Sequence, residues 1–240
     1  MLSIIIPSYK GAAVLNNNLS GLLEYLAKKN IQNEIIIVDD GSDDEGATAR
    51  TAREHGCKYL KNEKNQGKGA AVKKGMLHAT GQFRIFTDVD IPFEYDAIER
   101  FLYYLDFKEF DLVVGDRTLP ESSYFTDISK MRKIGSNIFS FIVGRFITTG
   151  LFDTQCGMKG LRAKAADDLF SVTRVQGFAF DVELIYIALK RNYDIKRLPV
   201  RLRCQEGSSV NVLKHGISML IDLANIKTNQ VLGRYNKKKM

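Results

Sequence analysis

The sequence predicts one α/β domain built on a mostly parallel sheet with helices on both faces, and three observations predict it. Short apolar runs alternate with longer stretches whose apolar residues recur at helical spacing. Several of these runs end on carboxylates, as strands do where a parallel sheet opens onto a ligand site. A chain of 240 residues, 45% apolar, buries a substantial core as a single domain. The division expected is residues 1–210 for the domain, with apolar interface helices at 121–150, and 211–240 for a C-terminal amphipathic helix and basic tail.

Leu2 to Pro7 reads as a buried strand, Asn16 to Lys29 as an amphipathic helix with Leu19, Leu22, Leu23 and Leu26 on one face, and Glu34 to Val38 as a second buried strand. Together they make a right-handed βαβ crossover. The second strand runs into Asp39-Asp40-Gly41-Ser42-Asp43-Asp44, where Gly41 permits a tight turn and Ser42 or Asp43 is placed to cap a helix through His55. A short strand at Lys58 to Leu60, a loop from Asn62 to Gly69, a helix to Ala79 and a central strand at Phe83 to Thr87 follow. A helix at Asp96 to Leu105 and a strand at Asp111 to Gly115 complete this half.

Glu121 to Thr149 holds no clear strand. Ile134, Ile138, Phe139, Phe141, Ile142, Val143, Phe146 and Ile147 instead make a helix apolar on more than one side, which needs a second apolar surface. Phe152 to Arg162 returns through Asp153-Thr154-Gln155-Cys156-Gly157 to a short strand. Asp181 to Arg191 is a helix with carboxylates at its start, and Ile195 to Leu202 a last strand. Val212 to Leu232 is helical, with Leu213, Ile217, Leu220, Ile221 and Leu223 on its apolar side, before Lys237-Lys238-Lys239.

Composition narrows the function. Three widely spaced cysteines, Cys57, Cys156 and Cys204, indicate neither a disulfide framework nor a zinc site and fit a reducing cytoplasm. The apolar start of the chain is too short for a signal sequence, and no stretch reaches the roughly 18 uninterrupted apolar residues of a spanning helix, so a soluble or peripheral protein is expected. A net charge of +7 favours an anionic partner.

The central strand leads to Asp88-Val89-Asp90. If strand geometry holds through Asp90, both carboxylates face one side and converge on a hard cation, Mg²⁺ or Mn²⁺, shared with substrate phosphates. A protein binding nucleic acid through basic surface alone has no use for that pair, so no nucleic-acid partner is expected. The loop Gln66-Gly67-Lys68-Gly69 is not a P-loop, since Asn62 stands where the first glycine belongs and Gly69 where Ser or Thr would be; with Val72 in place of a third glycine it is not a dinucleotide fingerprint either. What remains is a lysine at a helix start, a position favourable to an anion. Of Asp39 and Asp40, one reads as a cap and the other as an acceptor for a base or ribose.

The order of these parts is more specific than any one of them. Ser3-Ile-Ile-Ile-Pro7-Ser-Tyr9, Ile-Val-Asp39-Asp40-Gly41-Ser42, Asn65-Gln-Gly67-Lys68-Gly69-Ala70 and Asp88-Val-Asp90 resemble family 2 glycosyltransferases of the Rossmann-like GT-A fold over nearly the whole chain. Asp153-Thr-Gln155-Cys156-Gly157-Met-Lys159 with Phe180-Asp181-Val-Glu183-Leu resembles the dolichyl-phosphate and polyprenyl-phosphate glycosyltransferase branch. Lys10, where many members carry Glu or Asn, and Ile91-Pro92 after the metal pair depart from the pattern.

The resemblance implies that Pro7, Tyr9, Asp39 and Asp40 line the base and ribose, that Lys68 lies near the nucleotide, and that Asp88 and Asp90 hold the metal on the diphosphate. Arg117 and Arg132 would bind acceptor phosphate, and Gln155, Asp181 and Glu183 would form the sugar and acceptor side. The activity implied is inverting transfer of one sugar from a nucleotide diphosphate sugar, with UDP-glucose the leading donor, to a polyprenyl phosphate on the cytoplasmic membrane face. A hydroxyl acceptor would instead need Asp181 or Glu183 as base. The helix around Ile134 to Ile147 and the C-terminal helix would touch an anionic membrane, pack on the sheet or form a homodimer interface.

Overall fold

The computed structural model describes residues 1–123, 140, 141, 143–145, 147, 148, 150, 151, 153–203 and 212–236, with side chains of the last stretch from 218 onward. Among them, seven strands form one sheet: β1 (Leu2–Ser8), β2 (Asn33–Asp39), β3 (Lys58–Lys61), β4 (Phe83–Phe86), β5 (Leu112–Asp116), β6 (Lys159–Arg162) and β7 (Ile195–Pro199). Their order is β3-β2-β1-β4-β6-β5-β7. Every neighbouring pair is parallel except those of β6, which runs antiparallel to both β4 and β5.

The helices are α1 (Ala12–Lys28), α2 (Ala47–Glu54), α3 (Lys68–His78), α4 (Asp96–Leu102) continued by a π-helical turn at Tyr103–Phe107, α5 (Ala163–Val172), α6 (Phe180–Lys190) and α7 (Val212–Val231). Because a strand turns alternate side chains to opposite faces, Leu2, Ile4 and Ile6 of β1 join one core layer with Leu15, Leu19 and Leu22 of α1. Ile5 joins the other, with Val72 and Met76 of α3 and Val182 and Ile185 of α6. That second layer also takes Met219, Leu223, Ile226 and Tyr235, so α7 and the turn after it are packed on the domain.

Several expectations need correction. Helix α1 begins four residues before the expected start, since Ala12, Ala13 and Val14 continue the pattern back to Gly11. Neither Ser42 nor Asp43 caps α2; the carboxylate of Asp44 accepts the Thr48 N–H at 3.0 Å and its hydroxyl at 2.6 Å, while Ser42 Oγ accepts the Lys10 N–H at 2.8 Å. Helix α5 was not anticipated, although Ala165, Ala166, Leu169 and Phe170 are its buried face. Arg132, Cys204, Lys237, Lys238, Lys239 and most of the stretch from Ile134 to Ile147 lie outside the described residues.

The antiparallel β6 positions the site. Its first residue, Lys159, pairs with Phe86 at the end of β4 and with Val114 near the end of β5. The segment 153–158 therefore enters the sheet along its carboxyl edge, between the two strands whose ends carry Asp88 and Arg117.

Candidate active site

Strand β4 stops at Phe86, and the chain turns at once: the Asp88 carbonyl accepts the Ile91 N–H at 3.0 Å, and Ile91 takes the left-handed backbone region at φ 41°. The premise that strand geometry runs through Asp90 is thus overturned. Asp88 and Asp90 share a tight turn at the sheet edge, not one face of a strand. Asp88 Oδ1 meets the Lys68 ammonium at 2.5 Å, and a methyl group at Gly157 would press on the same carboxylate, so the Gly157 backbone lies close against Asp88 and a side chain there would push the carboxylate aside.

Lys68 opens α3 between two glycines. Gly67 has φ 103°, and a side chain on it would lie 2.5 Å from the Gln176 carbonyl; one on Gly69 would lie 2.5 Å from Phe180 Cβ. Both glycines serve close packing against the loop 174–177 and α6. The Ala70 N–H is donated to Gln176 O at 3.2 Å, so the helix start is already partly capped by protein. Burial works against the Lys68 ammonium, but the carboxylates of Asp88 and Asp181 outweigh it and hold its pKa above the usual lysine range.

The segment 153–159 ties the site together. Asp153 accepts the Arg117 backbone N–H at 2.7 Å, Nε at 2.9 Å and Nη2 at 2.6 Å, a bidentate grip that fixes the guanidinium at the end of β5. Burial opposes the Asp153 charge, yet Arg117 holds its carboxyl below the usual range. Cys156 is fully buried against Gly115, and burial pushes its thiol up to about 12, which makes it inert packing. Lys159, fully buried, donates to Cys156 O at 2.7 Å and to Asp181 Oδ1 at 2.5 Å, beneath the Phe86 ring.

The acidic residues divide by their partners. Asp39 accepts the Ser42 N–H at 2.8 Å and the Tyr59 hydroxyl at 2.7 Å. Asp40 accepts Asn62 Nδ2 at 2.8 Å and the N–H groups of Gln66 at 3.0 Å and Gly67 at 2.7 Å. Both are buried, and both brace the loops around the site. Asp116 is fully buried and paired with Arg197 at 2.6 Å. Pro7 sits in β1 beside Val38, Tyr9 is exposed on the same edge, and Gln155 is half-buried between Asp153 and Cys156.

The two candidate bases are both engaged by protein groups. Asp181 is buried and paired with Lys159. Glu183 is fully buried, with one oxygen accepting the N–H groups of Arg174 and Val175, both at 2.8 Å, and the other the Tyr235 hydroxyl at 2.5 Å. Sequence reasoning missed Asp153 as the Arg117 clamp and Lys159 as the partner of Asp181. A lone lysine inside Cys156-Gly157-Met158-Lys159-Gly160-Leu161 was the available signal.

For a divalent cation, the donor chemistry fits. Among the described residues no three His, Cys, Asp or Glu side chains converge as a metal site. Carboxylate oxygens at Asp88 and Asp90 suit a hard cation completed by water and phosphate oxygen, and an ammonium already stands as counter-ion on Asp88.

Residues 3–170 match Glycosyl transferase family 2. The chain is 30% identical to a dolichyl-phosphate beta-glucosyltransferase of Dictyostelium discoideum, the match spanning 97% of the chain and 75% of that protein. It is 32% identical to one of Drosophila melanogaster, spanning 98% and 76%. Solved structures share the fold: mannosyl-3-phosphoglycerate synthase from Rubrobacter xylanophilus, with a TM-score of 0.71, 16% identity and coverage of 100% of this chain and 77% of that one. Glucosyl-3-phosphoglycerate synthase from Mycobacterium tuberculosis, solved with Mn²⁺, uridine diphosphate and phosphoglyceric acid, gives a TM-score of 0.71 at 16% identity, covering 100% and 80%.

Proposed function

Because the chain belongs to glycosyl transferase family 2, we propose that it moves one glucose from UDP-glucose to a dolichyl or polyprenyl phosphate, with inversion, at the cytoplasmic face of a membrane. The observation that carries this reading is the pairing of two poles by one segment: 153–159 clamps Arg117 at the end of β5 and backs Asp88 at the end of β4. The relatives named for dolichyl-phosphate glucosyl transfer support the choice of sugar and acceptor.

Asp88 and Asp90 would hold Mg²⁺ or Mn²⁺, which when bound supplies Lewis-acid neutralisation of the leaving diphosphate. Lys68 adds a second positive charge on that side, steadied by the Phe180 ring 5.9 Å from its ammonium. Pro7, Tyr9, Asp39 and Asp40 shape the base and ribose side, the two carboxylates by bracing its loops. On the other side Arg117, pre-oriented by Asp153, orients the acceptor phosphate, and Arg132 shares that role as the family resemblance implies. A phosphate monoester with a second pKa near ~6 is already ionised at neutral pH and needs no base. The engagement of Asp181 with Lys159, and of Glu183 with backbone N–H groups, therefore favours this acceptor over a neutral hydroxyl.

The test is Arg117→Ala, assayed with UDP-glucose and a short polyprenyl phosphate. Transfer should fall by on the order of 100-fold, the loss of a charge-assisted bidentate contact, while UDP binding and slow donor hydrolysis persist. An equal loss of UDP affinity would move Arg117 to the nucleotide side, and wild-type protein inert toward every phosphate acceptor would overturn the reading.

A further inference from the structure

Glu183 is an unusual group to find where it lies. It sits in the first turn of α6, fully buried among Phe180, Val182 and Leu184, and burial pushes its pKa up despite its hydrogen bonds. A buried charge of this kind adds little stability over a well-packed hydrocarbon, so its placement calls for another reason. We propose that Glu183 is a positioning residue for the donor side of the site, acting through the loop 174–177, and that Tyr235 completes it from the C-terminal turn; this rests on the site reading given above.

The contacts form a continuous chain. Glu183 Oε2 holds the N–H groups of Arg174 and Val175, which fixes the loop where it enters Gln176. The Gln176 carbonyl then accepts the Ala70 N–H and lies against Gly67 and Gly69, so tightly that neither could carry a side chain without displacing it. Lys68 stands between those glycines and reaches Asp88 at 2.5 Å. A shift of the loop is therefore a shift of the backbone that carries Lys68, since Gln176 meets it through backbone atoms that have no rotamer to absorb the movement.

The far end is equally fixed. Tyr235 donates its hydroxyl to Glu183 Oε1 at 2.5 Å and receives Asn229 Nδ2 at 3.3 Å. Its own carbonyl accepts Arg191 Nε at 3.0 Å and Nη2 at 2.7 Å, from the end of α6. The C-terminal turn is thus bonded to both ends of the helix that carries Asp181 and Glu183. Behind the loop, Arg174, Gln176, Asp222, Asn225, Asn229 and Arg234 line an open polar groove of about 460 Å³. Solvent therefore reaches the loop from the side facing α7, and Glu183 and Tyr235 fix its position there.

The experiment compares Glu183→Leu, Glu183→Gln and Tyr235→Phe in the full chain, measuring UDP-glucose KM and kcat beside the melting temperature. The amide of Glu183→Gln retains an oxygen for the two loop N–H groups and turns its own N–H toward the tyrosine oxygen, so it should stay within about threefold of wild type, well inside a tenfold step of about 1.4 kcal/mol. Releasing the loop in Glu183→Leu should raise the donor KM and lower kcat by on the order of 10-fold to 100-fold, the scale of a roughly 1 Å misplacement. If that variant does not fold, Tyr235→Phe decides, with a several-fold rise in donor KM expected and acceptor KM unchanged. A lowered melting temperature with donor KM and kcat intact would overturn the proposal. Wild-type protein that binds no UDP would instead defeat the functional reading beneath it, before any variant is made.

Discussion

Carboxylates at the two ends of the same sheet do opposite work. At the amino end Glu34 accepts the Ser3 hydroxyl at 2.5 Å, the Thr80 N–H at 2.7 Å and hydroxyl at 2.9 Å, and the Lys58 ammonium at 2.5 Å. Burial opposes its charge, but these partners outweigh it and bring its pKa down to about 2. At the carboxyl end Asp181 and Glu183 move the other way, burial dominating over Lys159 and Tyr235 respectively. A lowered pKa means the ion stabilises the fold, whereas a raised one means the fold tolerates it at a cost. The difference teaches that the Glu34 charge staples β1, β3 and the turn before β4 to β2, while the Asp181 and Glu183 charges are kept for what they position.

The largest expected effect breaks the site end without touching the staple. Asp88→Asn keeps volume and removes one charged oxygen ligand, so transfer should fall by two or more orders of magnitude, a few kcal/mol of transition-state stabilisation. The melting temperature should stay close to wild type, because Asp88 is partly exposed and held chiefly by Lys68. A chelator should reproduce the loss in the wild type and add nothing in the variant. Retention of more than about a tenth of turnover, under roughly 1.4 kcal/mol, would remove Asp88 from the metal site.

The opposite perturbation is Glu34→Gln, which should cost about 1–3 kcal/mol of stability through weakened hydrogen bonds to a charged acceptor, while leaving kcat and KM of the folded enzyme unchanged. The sign with pH follows from the lowered pKa. The contribution of Glu34 is present above its unfolded value of 4.5 and is lost as pH falls toward 2. Denaturant titrations across that window should therefore show wild type and variant converging as pH falls. A gap between them that stays constant with pH would show that the staple is packing and not charge.

What the sequence made legible follows from which physics is local. Continuous apolar runs mark β1 and β2, which are buried on both faces, and a period of 3.6 marks α1, because burial acts residue by residue. The direction of β6 is a property of the chain's path and leaves no such mark, and α5 was lost because ten residues rich in alanine follow a strand with no polar break. Asp88, Asp90, Lys68 and Arg117 were legible as charges at strand ends and a helix start. Their partners were not: Asp153 lies 36 residues from Arg117, Lys159 22 residues before Asp181, and Tyr235 52 residues beyond Glu183. The early end of β4 also escaped, since the turn depends on Ile91 adopting a positive φ that its sequence disfavours.

The smallest catalytic effect belongs to a third region, α7, whose two apolar faces have different fates. Met219, Leu223 and Ile226 are buried on the domain, whereas Leu220, Ile221, Val231 and Leu232 are exposed. No helix among the described residues is long and apolar enough to cross a membrane. The exposed face, followed in sequence by Lys237-Lys238-Lys239, suits an interfacial contact that combines apolar burial with attraction to anionic lipid. A truncation that isolates the charge must fall after Asn236, because Tyr235 is 2% exposed and bonded to Glu183. Each lysine near an anionic surface adds about 1 kcal/mol, screened over roughly 10 Å at 0.1 M salt. Flotation with anionic vesicles should therefore weaken on truncation and at high salt. Replacing Ile221, Val231 and Leu232 together by serine should weaken flotation with neutral and anionic vesicles alike. Neither change should alter transfer to a short, water-soluble acceptor phosphate, since Ile221, Val231 and Leu232 are exposed and the truncation leaves Tyr235 and its bond to Glu183 in place. Vesicle binding that is absent at every salt concentration would leave the exposed face without a membrane role. Loss of transfer to the soluble acceptor on truncation would show that the lysines act on the site itself.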